Sequence, residues 1–296
     1  MRKRIAIDLG GTKTEIILTE DNPLQVLRRK RVPTQQEQGY DFILHQLADL
    51  IWEYKQECVE LPKIGLGIPG SMSPRTGLVR NANTQCLIGQ SLKKDLEQLV
   101  KQPVAIENDA NCFTLSEALL GAGQGYDVVL GIIMGTGMGG GICLSGQLWR
   151  GSQGNAGEWG HASINFEGPQ CWCGQRGCME LYLSGPAVEK HYYQLTKNKK
   201  SLKEINRDYE NKTDLAAKKS IERLLVYFGR AMANLIASFD PHAIVIGGGL
   251  SNIPSLYTRG FEQTARQAFV DGLSTPILPN KLGDSSGIYG AALIAE

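Results

Sequence analysis

The 296-residue chain lacks an excess of charge of either sign: 31 lysines and arginines stand against 30 aspartates and glutamates, a formal net charge of +1. No field of one sign collects phosphate backbones, so nucleic acid is not an expected partner and the substrate is small and neutral or brings its own countercharge. The short basic runs at residues 2–4 and 28–31 read as solvated edges. Also missing is any apolar stretch near the roughly 20 residues of a membrane-crossing helix, and the N-terminus runs into a β-prone segment instead of a signal sequence. A cytoplasmic protein with no membrane partner is the expectation. Cysteine is scarce, seven unevenly placed residues that cannot make a disulfide framework. The chain has no Walker phosphate loop, no complete dinucleotide-binding glycine spacing and no Ser/His/Asp constellation. Those gaps argue against a P-loop NTPase, a dehydrogenase and a triad hydrolase.

Glycine is what the sequence has in excess. Its 35 residues exceed the average share of about 7% and gather at the ends of β-prone runs, where the missing side chain lets backbone approach a ligand. Residues 4–8 are β-prone, Gly10-Gly11-Thr12-Lys13 turns the chain, and residues 15–18 run back. Residues 128–134, the turn Gly135-Thr136-Gly137 and residues 140–144 repeat that plan. Between them, Phe42, Ile43, Leu47, Leu50, Ile51 and Tyr54 predict a helix over residues 40–54, followed by a strand at 64–68 that Pro69-Gly70 closes. A duplicated hairpin among alternating strands and helices predicts an α/β fold of two related domains with the ligand between them, and no low-complexity linker separates the two. Further on, Thr213 reads as the N-cap of a long helix with the stripe Ile221, Leu224, Phe228, Met232 and Leu235, stopped by Asp240-Pro241. Residues 243–246 then predict a buried strand, and Gly247-Gly248-Gly249 opens a loop where backbone can meet a flat ligand.

Four constellations carry chemistry. The turn after Asp8 offers unobstructed amides, the Thr12 hydroxyl and a carboxylate able to hold hydrated Mg²⁺, the makings of a polyphosphate cradle, although a plain hairpin turn has the same residues. Its repetition at Gly135-Thr136-Gly137 favours two turns gripping one nucleotide. Asp109 follows a predicted strand end and opens a predicted helix, where a carboxylate can take the proton of a hydroxyl nucleophile; the alternative is that Asn108 or Asp109 merely caps the helix. His161 with Cys171, Cys173 and Cys178 makes a Cys₃His set suited to tetrahedral structural zinc, against the alternative of chance thiols or a redox pair at Cys171 and Cys173. Glu158 and Glu180 flank that set and are acceptors for sugar hydroxyls, though either taken singly is commonly a surface acid.

These motifs, Asp8-Leu9-Gly10-Gly11-Thr12-Lys13, Glu107-Asn108-Asp109-Ala110-Asn111, Gly157-Glu158-Trp159-Gly160-His161 and Cys171-x-Cys173-Gly174-x-x-Gly177-Cys178-x-Glu180, resemble the ROK family (repressors, open reading frames, kinases) nearly end to end. Asn81-Ala82-Asn83-Thr84 and Gly283-Asp284-Ser285-Ser286-Gly287 are similar to its bacterial fructokinase, or manno(fructo)kinase, branch. The resemblance implies a two-lobed actin-like ATPase (ribonuclease H-like) fold, residues 1–112 forming one lobe with a returning helix at 286–296, and residues 113–285 forming the other with the zinc-binding loop. It implies ATP and a hexose in the interlobe cleft, Asp109 as catalytic base, and Asn83, Asn108, Glu158, His161, Glu180 and Gly70 beside the sugar. Gly10, Gly11, Thr12 and Lys13 with Gly135, Thr136 and Gly137 correspond to phosphate-binding turns, and Gly247, Gly248 and Gly249 lie beside adenosine. The cofactors implied are ATP, Mg²⁺ and structural Zn²⁺; the reaction is phosphorylation of a hexose 6-hydroxyl, fructose first, with N-acetylglucosamine and glucose as alternatives. Residues 162–170 are short relative to many members, which bears on the wall of the sugar pocket. Dimers are common in the family, so the resemblance allows a homodimer, but no stripe in the sequence marks an interface and the oligomeric state stays open. Some members are sugar-sensing repressors with a DNA-binding module in front; three residues ahead of the first β-prone run argue against one here, and a retained Asp109 beside two phosphate turns argues against a non-catalytic sugar-binding protein.

Overall fold

Alternation along the first β-prone run decides how the first sheet is built. In the computed structural model, which describes residues 3–20 and 24–295, Arg2 of the first basic run lies outside the described residues. Ile5, Ile7 and Leu9 join one apolar cluster while Ala6 joins another, so by period two Asp8 shares the face of Ala6. The elements here are β1 (Lys3–Leu9), β2 (Lys13–Glu20), β3 (Gln25–Pro33), α1 (Tyr40–Lys55), β4 (Lys63–Ile68) and the small hairpin β5 (Ser71–Met72) with β6 (Val79–Arg80). Then come α2 (Leu92–Val100), β7 (Ala105–Asn108) and α3 (Asp109–Leu120). The strand order is β3-β2-β1-β4-β7, with β1, β4 and β7 parallel and β2 and β3 antiparallel. Leu47 and Ile51 of α1 and Leu96 of α2 cover one face.

The second sheet repeats this wiring. Its elements are β8 (Val128–Met134), β9 (Met138–Leu144), β10 (Gln147–Leu148), α4 (Gly185–Thr196), α5 (Leu202–Glu210), α6 (Leu215–Phe239), β11 (Ala243–Gly247), α7 (Arg259–Gln267) and β12 (Ile277–Pro279). The order is β10-β9-β8-β11-β12, again two antiparallel strands followed by parallel neighbours. The last helix, α8 (Ser286–Ile294), packs Ile288, Ala291 and Ala292 with Ala6, Ile17 and Cys112 on the second face of the first sheet.

The chain divides into two compact units, Met1–Ser116 with Arg150–Ala156 and Asp284–Glu296, and Glu117–Trp149 with Gly157–Gly283. That division falls within α3 at Ser116 instead of after residue 112. It also assigns Arg150–Ala156 to the first unit, because Arg150 pairs with Glu107 and the Arg80 guanidinium binds the Gln153 carbonyl and Asn155 Oδ1. The long helix α6 has its predicted stripe, but its N-cap is Asp214, not Thr213. Asp214 Oδ1 accepts from the amides of Ala216 at 2.8 Å and Ala217 at 3.1 Å. Hydrogen bonds from Lys200 and Tyr192 hold the Asp214 carboxyl well below the usual carboxylate range, and a charged acceptor caps better than the neighbouring hydroxyl. At its other end, Asp240 takes the left-handed conformation, φ 42°, and donates to the Ile236 carbonyl. Of the four cysteines outside the Cys₃His set, Cys112 and Cys143 are core residues while Cys58 and Cys86 are only half-buried. No helix among the described residues is long and apolar enough to cross a membrane.

Candidate active site

In the first unit the parallel strands β1, β4 and β7 end at one edge, Asp8 beside Gly67 and Ile68 beside Asn108. Ligands of α/β sheets bind at such carboxyl ends. The chain brings Asp8, the turn at residues 10–13, Gly70, Asn83, Asn108 and Asp109 to this edge. Asn108 is the cap of α3: its Oδ1 accepts from the amides of Ala110 at 2.9 Å and Asn111 at 3.2 Å. Its amide group donates to the Gly70 carbonyl and to Asp109 Oδ1, both at 3.0 Å. With capping done by Asn108, Asp109 becomes the first residue of α3, its Oδ1 also accepting from Ala110 N at 2.8 Å. Asn83 is tied to the same corner by its backbone N–H, which donates to the Pro69 carbonyl at 3.0 Å.

Glu107 supports this junction from below. It is 8% exposed, accepts from Asn108 N and Asn111 Nδ2 at 2.9 Å each, and pairs with Arg150. Sequence reasoning missed its role, although the residue lies inside a motif it singled out. It also missed Thr34, which is fully buried and closes the first glycine turn. The Thr34 amide donates to Thr12 O at 3.0 Å and its hydroxyl to Gly10 O at 2.7 Å, while Gly10 N–H donates across the turn to Lys13 O at 3.0 Å. No local signal marks a lone threonine after a strand as a turn clamp.

Asp8 sits under the first turn of α8, where a Cβ on Gly287 would stand 3.1 Å from its Oδ2. Burial pushes its carboxyl up to about 6, and the Glu15 charge across the hairpin adds to the rise while Lys13 and Arg31 oppose it. Glu15, also unforeseen, is itself buried and bracketed by Arg29 Nε at 3.2 Å and Arg31 Nε at 2.9 Å.

In the second unit, β8 and β11 run parallel with Ile133 opposite Gly247, so Gly135-Thr136-Gly137 and Gly247-Gly248-Gly249 meet at one sheet edge. Gly248 has φ +78° and a Cβ there would come within 2.5 Å of Met134 O, so no other residue fits. The turn is closed by Gly135 N–H donating to Gly137 O and is docked on α4 by Gly185 N–H donating to Gly135 O, each at 2.9 Å. Glu180 is no loose surface acid. Its Oε2 accepts from Met138 N at 3.0 Å, and a Cβ on Gly137 would stand only 2.6 Å from that oxygen.

The Cys₃His residues converge. The ligand atoms of His161, Cys171, Cys173 and Cys178 all lie within 4.8 Å of one another, with Cys171 Sγ to His161 Nδ1 at 3.7 Å and Cys173 Sγ to Cys178 Sγ at 3.6 Å. Metal–sulfur bonds of about 2.3 Å in a tetrahedron give edges of about 3.8 Å, so the set fits a four-coordinate cation such as zinc. A tight knuckle presents the first thiols, Cys171 N–H donating to Gln175 O at 2.8 Å and Gly174 N–H to Cys171 O at 3.1 Å. With Nδ1 facing Cys171, the Nε2 of His161 is the ring nitrogen directed elsewhere. Glu158 is exposed on the same one-turn 3₁₀ segment, Glu158–His161. The insert is braced on α6: Asn165 Nδ2 donates to the hydroxyls of Tyr182 at 2.9 Å and Tyr227 at 3.3 Å, whose rings stack 3.9 Å apart.

Known proteins resemble the chain in both sequence and fold. Residues 4–296 match the ROK family. The N-acetyl-D-glucosamine kinase of Aliivibrio fischeri is 36% identical over 300 residues, 97% of each chain. The ROK hexokinase of Thermus thermophilus shares the fold with a TM-score of 0.88 and 32% identity, covering 99% of this chain and 97% of that one. A ROK family glucokinase of Streptomyces griseus, solved with glucose and AMPPNP, has a TM-score of 0.81 at 29% identity over 99% of each chain.

Proposed function

The chain belongs to the ROK family, with its two-lobed actin-like fold, and from that premise we propose that it is an ATP-dependent hexose kinase acting on the sugar 6-hydroxyl. The observation that carries the reading is the edge of the first sheet, where Asp109 stands at a strand end with Asn108, Gly70, Asp8 and the first glycine turn gathered around it. A sugar hydroxyl is a poor nucleophile. Asp109 takes its proton as the new oxygen–phosphorus bond forms and the bond to ADP breaks. Gly10, Gly11, Thr12, Lys13, Gly135, Thr136 and Gly137 hold phosphate, and Gly247, Gly248 and Gly249 lie beside adenosine. Mg²⁺, when bound, neutralises charge on the β- and γ-phosphates, and Asp8 is the residue to hold its hydrated form.

Asn83, Asn108, Glu158, His161 and Glu180 are the proposed sugar contacts, with Gly70 in the adjoining turn. Zinc held by His161, Cys171, Cys173 and Cys178 has no open coordination place, so its part is to shape the loop that carries Glu158 and Glu180. Between the candidate sugars, motif resemblance favours fructose and the relatives favour N-acetylglucosamine. Identity of 36% over nearly the whole chain weighs more than two short motifs, so N-acetylglucosamine stands first and fructose second. The test is a coupled ADP-release assay with Mg-ATP and N-acetylglucosamine, fructose, mannose and glucose, run beside Asp109→Ala. Sugar-dependent release that the variant loses supports the reading; no sugar-dependent release from the wild type overturns it in favour of a non-catalytic sugar-binding protein.

A further inference from the structure

Trp172 is placed as no core residue is. It lies between two of the converging cysteines, 70% exposed, so burial of its ring contributes little to the fold. Yet its indole is directed. The Nε1 donates to Glu180 Oε1 at 3.2 Å, and the ring meets His161 edge-on, centroids 4.8 Å and planes 86° apart. The other Glu180 oxygen accepts from Met138 N at 3.0 Å. The carboxylate is thus held from both sides, by the strand after the second glycine turn and by the knuckle of the cysteine loop.

An ionised carboxylate has about four acceptor sites, so these two bonds leave two for other donors. Held by one bond alone, the group would rotate about it and present those sites in no fixed direction. We propose that Trp172 is a positioning residue for the sugar: its N–H fixes the plane of the Glu180 carboxylate, so that this group meets the sugar hydroxyls in one geometry, while the ring only rests edge-on against His161. The inference deepens the hexose-kinase reading and rests on it. Phenylalanine would serve the exposed ring and the edge contact equally well; the indole N–H is what the Glu180 contact requires.

The test separates the bond from the ring. Trp172→Phe removes the donor and keeps the edge, while Trp172→Gln restores an N–H without the ring. Calorimetry with N-acetylglucosamine, or with fructose if that is the sugar the wild type turns over, should show Kd weakened about fivefold in W172F, the size expected for one ordinary solvent-exposed hydrogen bond. The sugar KM should rise in step, kcat and the KM for ATP should move less than twofold, the bound metal content should stay at the wild-type level, and W172Q should regain most of the lost affinity. Wild-type sugar affinity in W172F overturns the inference, as does failure of W172Q to recover. Loss of metal or of ATP affinity in parallel with sugar affinity also overturns it, since that marks a merely structural side chain. A wild-type chain that binds no sugar fails earlier, taking the kinase reading down first and this inference with it.

Discussion

The two glycine hairpins share a register and differ in where their polar groups come from. Leu9 opposite Thr14 closes the first and Met134 opposite Met138 the second, so Asp8 and Ile133 hold the same place one residue earlier. The first hairpin carries its own charge in Asp8, Glu15 and Lys13, and its turn is clamped by Thr34 immediately after β3 of the same sheet. The second is apolar and glycine-rich at those places and takes its carboxylate, Glu180, from the distant insert that the cysteine cluster closes. One sheet plan has therefore been specialised twice. The first hairpin's shape depends on its own sheet, the second's on the folding of another loop.

The largest effect should come from the charged edge of the first unit. Asp109→Ala is expected to lower kcat by about 10²- to 10⁴-fold, the contribution of a general base, while sugar affinity measured by calorimetry stays within about threefold. A variant that keeps near wild-type turnover would move the chemistry away from that edge and leave the comparison without its main asymmetry.

Next in size is removal of the zinc proposed for the Cys₃His set. Chelation at neutral pH, or Cys178→Ser, should loosen the insert and release Glu180, so amide exchange at Met138 should quicken at least tenfold while Gly10, clamped by Thr34, keeps its protection. Equal quickening at both turns would show that the second hairpin does not depend on the insert in the way its contacts indicate.

A smaller pair of variants tests the clamps themselves. Thr34→Val removes the hydroxyl bonded to Gly10 O at 2.7 Å and leaves that carbonyl short of a buried partner, for a loss of about 1–3 kcal/mol in denaturant unfolding. Gly137→Ala places a Cβ against Glu180 Oε2 and should act on sugar affinity more than on stability. If the two variants gave the same profile, the distinction between a clamp internal to the sheet and a borrowed one would fall.

The parts of this arrangement legible in the sequence are the local ones. Glycine flanked by β-prone runs gives both hairpins, the period of Ile221, Leu224 and Phe228 gives α6, and ligand count and spacing give the Cys₃His set, each within a short window. What stayed hidden is long-range. Thr34 over Gly10, Arg150 on Glu107, Arg29 and Arg31 on Glu15, and Met138 on Glu180 join residues whose separation says nothing of contact. The choice of Asp214 over Thr213 as a cap was decided by Lys200 and Tyr192, which only the fold brings near. Substrate identity is hidden for a related reason, since discrimination by one acetamido or hydroxyl group is set by which pocket groups meet it, an arrangement that only the fold provides.

An effect of similar size, and one that vanishes at low pH, isolates Asp8, the group that Ile133 replaces in the second hairpin. Its folded carboxyl sits near 6 against an ordinary 3.8, so the folded state holds the proton more tightly than the unfolded chain does. The stability this gives is fully present below the unfolded value and is lost as pH rises through about 6; above that, the fold carries an ionised group under α8. Asp8→Asn removes the titration. In the absence of metal and nucleotide, the variant should be more stable than the wild type by about 2 kcal/mol at pH 7.5, after allowing for partial exposure of the site, with the gap closing toward pH 4. Unfolding in urea across that range reads it directly. A gap that is flat, or that widens as pH falls, would mean that Asp8 is not held at a cost in its ionised form, and the two hairpins would then differ in residue type but not in the electrostatic strain that sets the first apart.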